Sequence, residues 1–210
     1  VLNYILLLGW SPKGEQEIFS LKEMVELWDE HFIGKAPAIF DPQKLRYINA
    51  EYIRALSPEA FFEKAKPYMD EVVHCECDRE LLASVLQQRC EVLSDIPEQI
   101  DFIDEMPEYE LELYTSKKMK TTPETSKEAI NALLPVLEEV EDWTRDHIHN
   151  AAFALIEKLG VKNGYILWPL RVALSGKQFT PGGGIELAAI LGKEKSIARL
   201  KAAEERLAQV

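Results

Sequence analysis

Helix starts punctuate this chain from end to end, and they leave little room for any fold but a helical one. Ser20-Leu21-Lys22-Glu23 has the spacing of a capping box, in which the serine hydroxyl accepts from the glutamate amide and the glutamate carboxylate answers back to the serine amide. Asp41-Pro42 and Ser57-Pro58 each place a capping side chain before a proline. Proline suits the first helical position, where its missing N–H has no partner to lose. Behind these starts the apolar residues recur at helical spacing. No segment alternates apolar and polar residues over a convincing strand length, and no internal repeat is present. The expected class is all-α.

In order, the expected helices begin with 2–8, ended by Gly9 before a turn at Trp10-Ser11-Pro12. The helix after Ser20 carries Leu21, Met24, Val25 and Trp28 on one apolar face, and the helix 42–56 turns Leu45, Ile48, Tyr52 and Ile53 to a core. Helices follow at 58–69, 79–92 and 96–104, the middle one with Leu82, Val85, Leu86 and Val92 as its stripe. Tyr114 to Thr125, polar and proline-bearing, reads as a linker. Beyond it come 123–140, 143–159 capped by Gly160, 185–191, and 193–207 with Ile197, Leu200, Ala203 and Leu207 in helical register.

Composition bounds the setting. Hydrophobic residues make up 47% and charged residues 29%, as in ordinary globular proteins. No apolar run reaches the roughly 18 residues of a membrane helix, and no basic-then-apolar leader is present. Three cysteines do not read as a disulfide framework, so a cytoplasmic setting is expected. The chain opens on Val1 with an apolar helical pattern and no cap, as expected of a piece of a longer protein.

A net charge of −12 argues at first against nucleic acid. The charge is uneven, however. From Trp143 onward ten Lys/Arg face six Asp/Glu, whereas Glu91 to Glu112 holds nine acidic residues and no basic one. A local RNA-binding surface is compatible with an acidic belt on another face. Alternatively, that acidic face docks a basic protein, which makes the chain an interaction module.

One stretch breaks the helical routine: Leu167 to Gly184, where Pro169, Arg171 and three consecutive glycines crowd together. The proline predicts a short helix over 169–174 stopped at Gly176, with Arg171 on a rigid turn. Thr180-Pro181 then opens a loop whose glycines bare the backbone before a helix near Ile185. An arginine beside open backbone amides and carbonyls suits the reading of a splayed RNA base. A plain connector with a solvated arginine is the other possibility.

The residues PLRVALSG, then TPGG, then an apolar helix ending LGKE, are similar to the C-terminal anticodon-binding region of bacterial glutamyl-tRNA synthetases. LNYILLLGWSP at the start and FDPQKLRYINAEYIRAL in the first third resemble the same family, in family order across essentially the whole chain. This resemblance implies helical bundle units forming a curved α-helical cage. It divides the chain into 1–56, the tail of a stem-contact fold, and two anticodon-binding subdomains at 57–115 and 116–210. It implies tRNA(Glu) as partner, with no DNA and no membrane, and a catalytic domain N-terminal to this region. The parent enzyme would use ATP and Mg²⁺, with no cofactor in this part.

Residue by residue, the resemblance places Arg89 before the Glu91-Val92-Leu93-Ser94-Asp95 turn as a reader of the third anticodon base. Local sequence also allows a surface arginine that offsets a helix dipole. Arg171, Thr180 and Pro181 would line pockets for the other bases, and Tyr47 matches an aromatic position near the anticodon. An arginine at the Arg89 position goes with family members that charge glutamate tRNA and not glutamine tRNA. Two positions depart from the family: Val92 replaces a threonine, and Gly183-Gly184 replace a bulky apolar pair.

No catalytic centre is expected. His31-Phe32-Ile33-Gly34 mimics one class I signature and Ser116-Lys117-Lys118-Met119-Lys120 scrambles the other, but neither sits in a nucleotide-binding βα unit. His74-Cys75-Glu76-Cys77 offers metal-ligand types, yet Cys90 alone supplies no second ligand pair, so no metal is expected. His147 and His149, two apart, point to different sides of a helix.

Overall fold

The computed structural model describes residues 1–10, 14–34 and 39–209; Ser11 and Pro12 of the expected first turn lie outside them. Among the described residues the regular structure is helical, in the order α1 Leu2–Gly9, α2 Leu21–Leu27, α3 Pro42–Arg54, α4 Pro58–Asp70, α5 Arg79–Gln87, α6 Ile96–Ile100, α7 Pro123–Glu138, α8 Arg145–Leu159, α9 Asn163–Ser175, α10 Gly184–Leu191 and α11 Lys193–Leu207. The sequence punctuation works as chemistry. Ser20 and Glu23 close their capping box at the head of α2, and Asp41 and Ser57 cap α3 and α4 ahead of their prolines. Gly160 and Gly176 end α8 and α9 in the left-handed region.

Tyr4, Trp10, Phe19 and Ile48, from α1, the segment after it and α3, are buried together with Asn3. Asn3 ties these segments to one another: its amide donates to Glu17 O at 2.7 Å, while its oxygen accepts from the Phe19 amide at 2.7 Å and the Tyr52 hydroxyl at 2.9 Å. From Ile53 onward one contiguous apolar cluster runs through to Leu207. Within it α4 pairs with α5, and α7 packs on α8, α9 and α11. α10 touches α5, α8, α9 and α11, and so joins the α4–α5 pair to the later helices. Gln87, buried at the end of α5, donates to Ile53 O and Leu56 O and so fixes α5 to the end of α3.

Several expectations change. Pro169 does not open a helix but sits inside α9, which begins six residues earlier at Asn163. An interior proline costs a helix roughly 3 kcal/mol. Here Ile166, Leu170, Val172, Ala173 and Leu174 are all fully buried, and that burial outweighs the missing bond. The α2 face of Leu21, Val25 and Trp28 is exposed, not buried. α5 stops at Gln87 and α6 at Ile100, short of the expected 92 and 104, so Val92 lies in extended backbone outside the helix. The 114–125 stretch is pinned: Tyr114 and Thr121 are buried, and Ser116 and Thr121 exchange both backbone hydrogen bonds.

Candidate nucleic-acid interface

The loop between α9 and α10 folds on itself before it meets anything else. Thr180 is 4% exposed, and its hydroxyl donates to Gly182 O at 2.5 Å. The Gly183 amide donates to the Glu186 carboxylate at 3.0 Å, which caps α10 from within. Gly184 exists for packing. A Cβ there would lie 2.8 Å from Leu170 Cγ and 3.0 Å from the Arg171 backbone nitrogen, so only glycine lets α10 start this close to α9. Close approach of α10 to α9 is thus what Gly184 provides.

Arg89 reaches this loop from the other side. It lies two residues past the end of α5, and its guanidinium donates to Thr180 O at 3.0 Å. Arg171, on α9, stands over the Trp168 ring at 5.7 Å and lines a cleft of about 300 Å³ with Trp168, Gly183, Gly184 and Glu186. Its Nε is buried with no hydrogen-bond partner among the described residues. Burial and the nearby Arg89 both lower the Arg171 pKa, and Glu186 only partly offsets them. Two guanidinium groups, one incompletely satisfied, thus converge on a loop whose Thr180, Pro181, Gly182 and Gly184 are buried and whose Gly183 is half-buried, so the glycines do not bare the backbone as the sequence suggested. Guanidinium donors of this kind can meet the acceptors of a nucleobase edge or a phosphate.

The structure brings Arg89, Arg171, Thr180 and Pro181 together, with Pro181 buried in the loop. Tyr47 stands apart, exposed on α3. Its neighbours dock that helix on the turn after Arg89: Arg46 pairs with Glu91 and Asp95, and the Asn49 amide donates to Glu91 O at 2.6 Å. Sequence reasoning missed Trp168 and Glu186. Trp168 was legible in principle, since it lies three residues before Arg171 on one helical face. Glu186 needed the loop geometry.

Most of the acidic stretch is exposed, but four of its nine carboxylates are paired within the chain. Glu91 and Asp95 pair with Arg46, and Asp101 holds Lys177, whose ammonium also donates to Glu98 O. Asp104 accepts from the His74 amide at 2.8 Å, the Cys75 amide at 3.1 Å and the His74 ring at 2.9 Å. Lys195 sits over Cys75 Sγ at 3.1 Å and donates to Ile103 O. His74 and Cys75 are therefore engaged with Asp104 and Lys195, and among the described residues no cluster of three His, Cys, Asp or Glu side chains is placed to hold a metal. Likewise, no described helix is long and apolar enough to cross a membrane.

Comparison with known proteins gives the arrangement a context. Residues 21–204 match the anticodon binding domain family. The chain is 52% identical over 208 residues to the glutamate–tRNA ligase of Clostridium acetobutylicum, covering 99% of this chain and 43% of that protein. It is 50% identical over 207 residues to the glutamate–tRNA ligase of Clostridium tetani, covering 42% of that one. The chain thus spans less than half the length of the curated relatives it matches. Among solved structures it is similar to the glutamate tRNA ligase of Elizabethkingia meningosepticum, crystallised with its amino acid, with a TM-score of 0.78 and 27% identity over 98% of this chain and 40% of that one. The corresponding enzyme of Elizabethkingia anophelis gives a TM-score of 0.77.

Proposed function

The chain belongs to the anticodon binding domain family, and from that membership we propose that it reads the anticodon of glutamate tRNA as the C-terminal part of a glutamate–tRNA ligase. The observation that carries the reading is the Arg89 to Thr180 hydrogen bond, which places an arginine from the α5 end against the loop that Arg171 approaches from α9. Arg89 reads the third anticodon base; Arg171, Thr180 and Pro181 line the places of the other two; Tyr47, exposed on α3 and apart from these residues, approaches the anticodon arm from that helix. Arginine offers donors only, so each base presents acceptors to it. Within a ligase, a separate catalytic domain would form glutamyl adenylate from ATP with Mg²⁺ and pass glutamate to the tRNA 3′ end, in the cytoplasm. The division at residues 56 and 115 belongs to the same proposal.

The reading is tested by titrating the chain with a glutamate tRNA transcript and with the same transcript carrying three altered anticodon bases. Weaker binding of the altered RNA by about 1–3 kcal/mol per base read supports it. Equal affinities count against it.

A further inference from the structure

The stretch Ser116-Lys117-Lys118-Met119-Lys120, a scrambled signature in the sequence, has a conformation too definite for a linker. Ser116 and Thr121 form an antiparallel bridge with hydrogen bonds of 3.0 and 3.1 Å, and the Thr121 hydroxyl donates to Tyr114 O at 2.8 Å. Within the turn the Met119 amide donates to the Ser116 hydroxyl at 3.3 Å. Lys120 has φ +58°, and among the described residues no other non-glycine residue has positive φ. L side chains rarely adopt that conformation, and it persists only where the surroundings impose it.

Met119 explains what imposes it. Its side chain lies against α9 where a Cβ on Gly164 would come within 2.5 Å of the sulfur. Met119 and Gly164 both line the cleft that holds Arg171. The hairpin is therefore plugged into the rim of the candidate interface by its one apolar residue, and Lys117, Lys118 and Lys120 project around the plug, all exposed. Most cations elsewhere are engaged with carboxylates or backbone carbonyls, as Arg46, Arg79, Lys177 and Lys193 are. The three hairpin lysines have no such partner among the described residues. Nearby, α9 begins without a side-chain cap, and the exposed Lys162 sits at its N-terminus, which adds positive potential on the same side. Glu186 is the carboxylate in the cleft, and Arg145 already pairs with it.

We propose that the 116–121 hairpin is an RNA phosphate clamp, in which Lys117, Lys118 and Lys120 grip the backbone next to the bases read at Arg171. This rests on the anticodon reading above and adds residues that position the RNA without reading its sequence. A cluster of ammonium groups suits phosphate as point charges, with no demand for the planar geometry that arginine brings to a base.

The test is salt-dependent binding. Affinity of the chain for the glutamate tRNA transcript and for its anticodon-altered form is measured between 50 and 200 mM salt, roughly the range where counterion release dominates. The variant is Lys117→Gln, Lys118→Gln and Lys120→Asn, asparagine being tolerant of the left-handed backbone. A Lys→Arg triple variant keeps the charge as a control. The clamp is supported if the neutral variant loses affinity for both transcripts by the same factor, on the order of tenfold at the low-salt end, and its log–log salt slope falls by about 2. The arginine control should retain the slope. An unchanged slope in the neutral variant, with the anticodon preference of the unmodified chain intact, overturns the clamp and leaves the anticodon reading standing. Loss of anticodon preference in the unmodified chain defeats that reading instead, and the slope still decides the hairpin.

Discussion

Arg89 and Thr180 are 91 residues apart in the chain and joined by one hydrogen bond, guanidinium to carbonyl, at 3.0 Å. The bond fixes the arginine's reach without consuming its charge. It uses one donor of five and leaves the rest for another acceptor. It also couples the end of α5 to the loop beside Arg171, so anything that moves α10 should be felt at Arg89.

Arg171 shows a conflict between folding and binding. Its Nε is buried and unpaired, and burial and Arg89 both disfavour its charge. Replacing it by methionine should leave stability unchanged or raise it by about 1 kcal/mol, since a half-buried guanidinium with an unpaired Nε gives way to a hydrophobic stem of similar length. RNA affinity should fall. Urea unfolding and a tRNA titration on the same variant check both halves; a large loss of stability would show that Arg171 holds the fold.

Gly184→Ala should be costly although alanine is the better helix former. The new methyl would meet Leu170 Cγ and the Arg171 backbone at 2.8–3.0 Å, and the backbone atom cannot swing away. A loss of about 1–3 kcal/mol is expected from overpacking. Gly160→Ala is the comparator: open space surrounds that position, but its φ of +64° makes the cost one of strain. Weaker tRNA binding by Gly184→Ala than by Gly160→Ala at matched stability would show that α9–α10 spacing positions the interface.

Asp104 gives a pH signature. Burial alone would raise its pKa, but hydrogen bonds from Cys75 and His74 together hold it well below the usual carboxylate range. Its stabilising contribution is therefore complete above the unfolded value of about 3.9 and is lost as pH falls from there through the folded value. Asp104→Asn should cost about 1–2 kcal/mol at neutral pH, discounted for partial exposure. That gap should shrink steadily in denaturant titrations below about pH 4. A gap that does not depend on pH would assign the effect to packing.

Burial pushes the Cys77 and Cys90 thiols up to about 11, with Cys75 adding to the effect at Cys77 and Asp95 at Cys90. Both should resist alkylation at pH 8 in the folded chain and react once it is unfolded, because the thiolate is the nucleophile. Rapid labelling of folded Cys90 at pH 8 would contradict its burial.

The helix starts were legible because capping is local: Ser20, Asp41 and Ser57 each meet their partners within three residues. Pro169 misled because its local preference for a helix start lost to tertiary burial of Ile166 and Leu170. The exposed α2 face misled for the opposite reason, since an apolar stripe states a preference for burial without naming what covers it. At the site, the threonine–proline–glycine loop stood out in the sequence, and the family resemblance pointed to Arg89. Their meeting could not be read locally, because it depends on α10 packing between α5 and α9. The lysine hairpin looked like a linker because what pins it, the Thr121 hydroxyl on Tyr114 O and Met119 against Gly164, depends on tertiary packing that its polar composition does not show.

Arg89→Gln is the most direct measurement, with affinity compared for glutamate tRNA and glutamine tRNA transcripts at two salt concentrations. If Arg89 reads the third anticodon base, the unmodified chain prefers glutamate tRNA, and the substitution erases that preference at a cost of about 1–3 kcal/mol while the salt slope changes by no more than one charge. Equal and salt-driven binding to both transcripts before and after the substitution would contradict it.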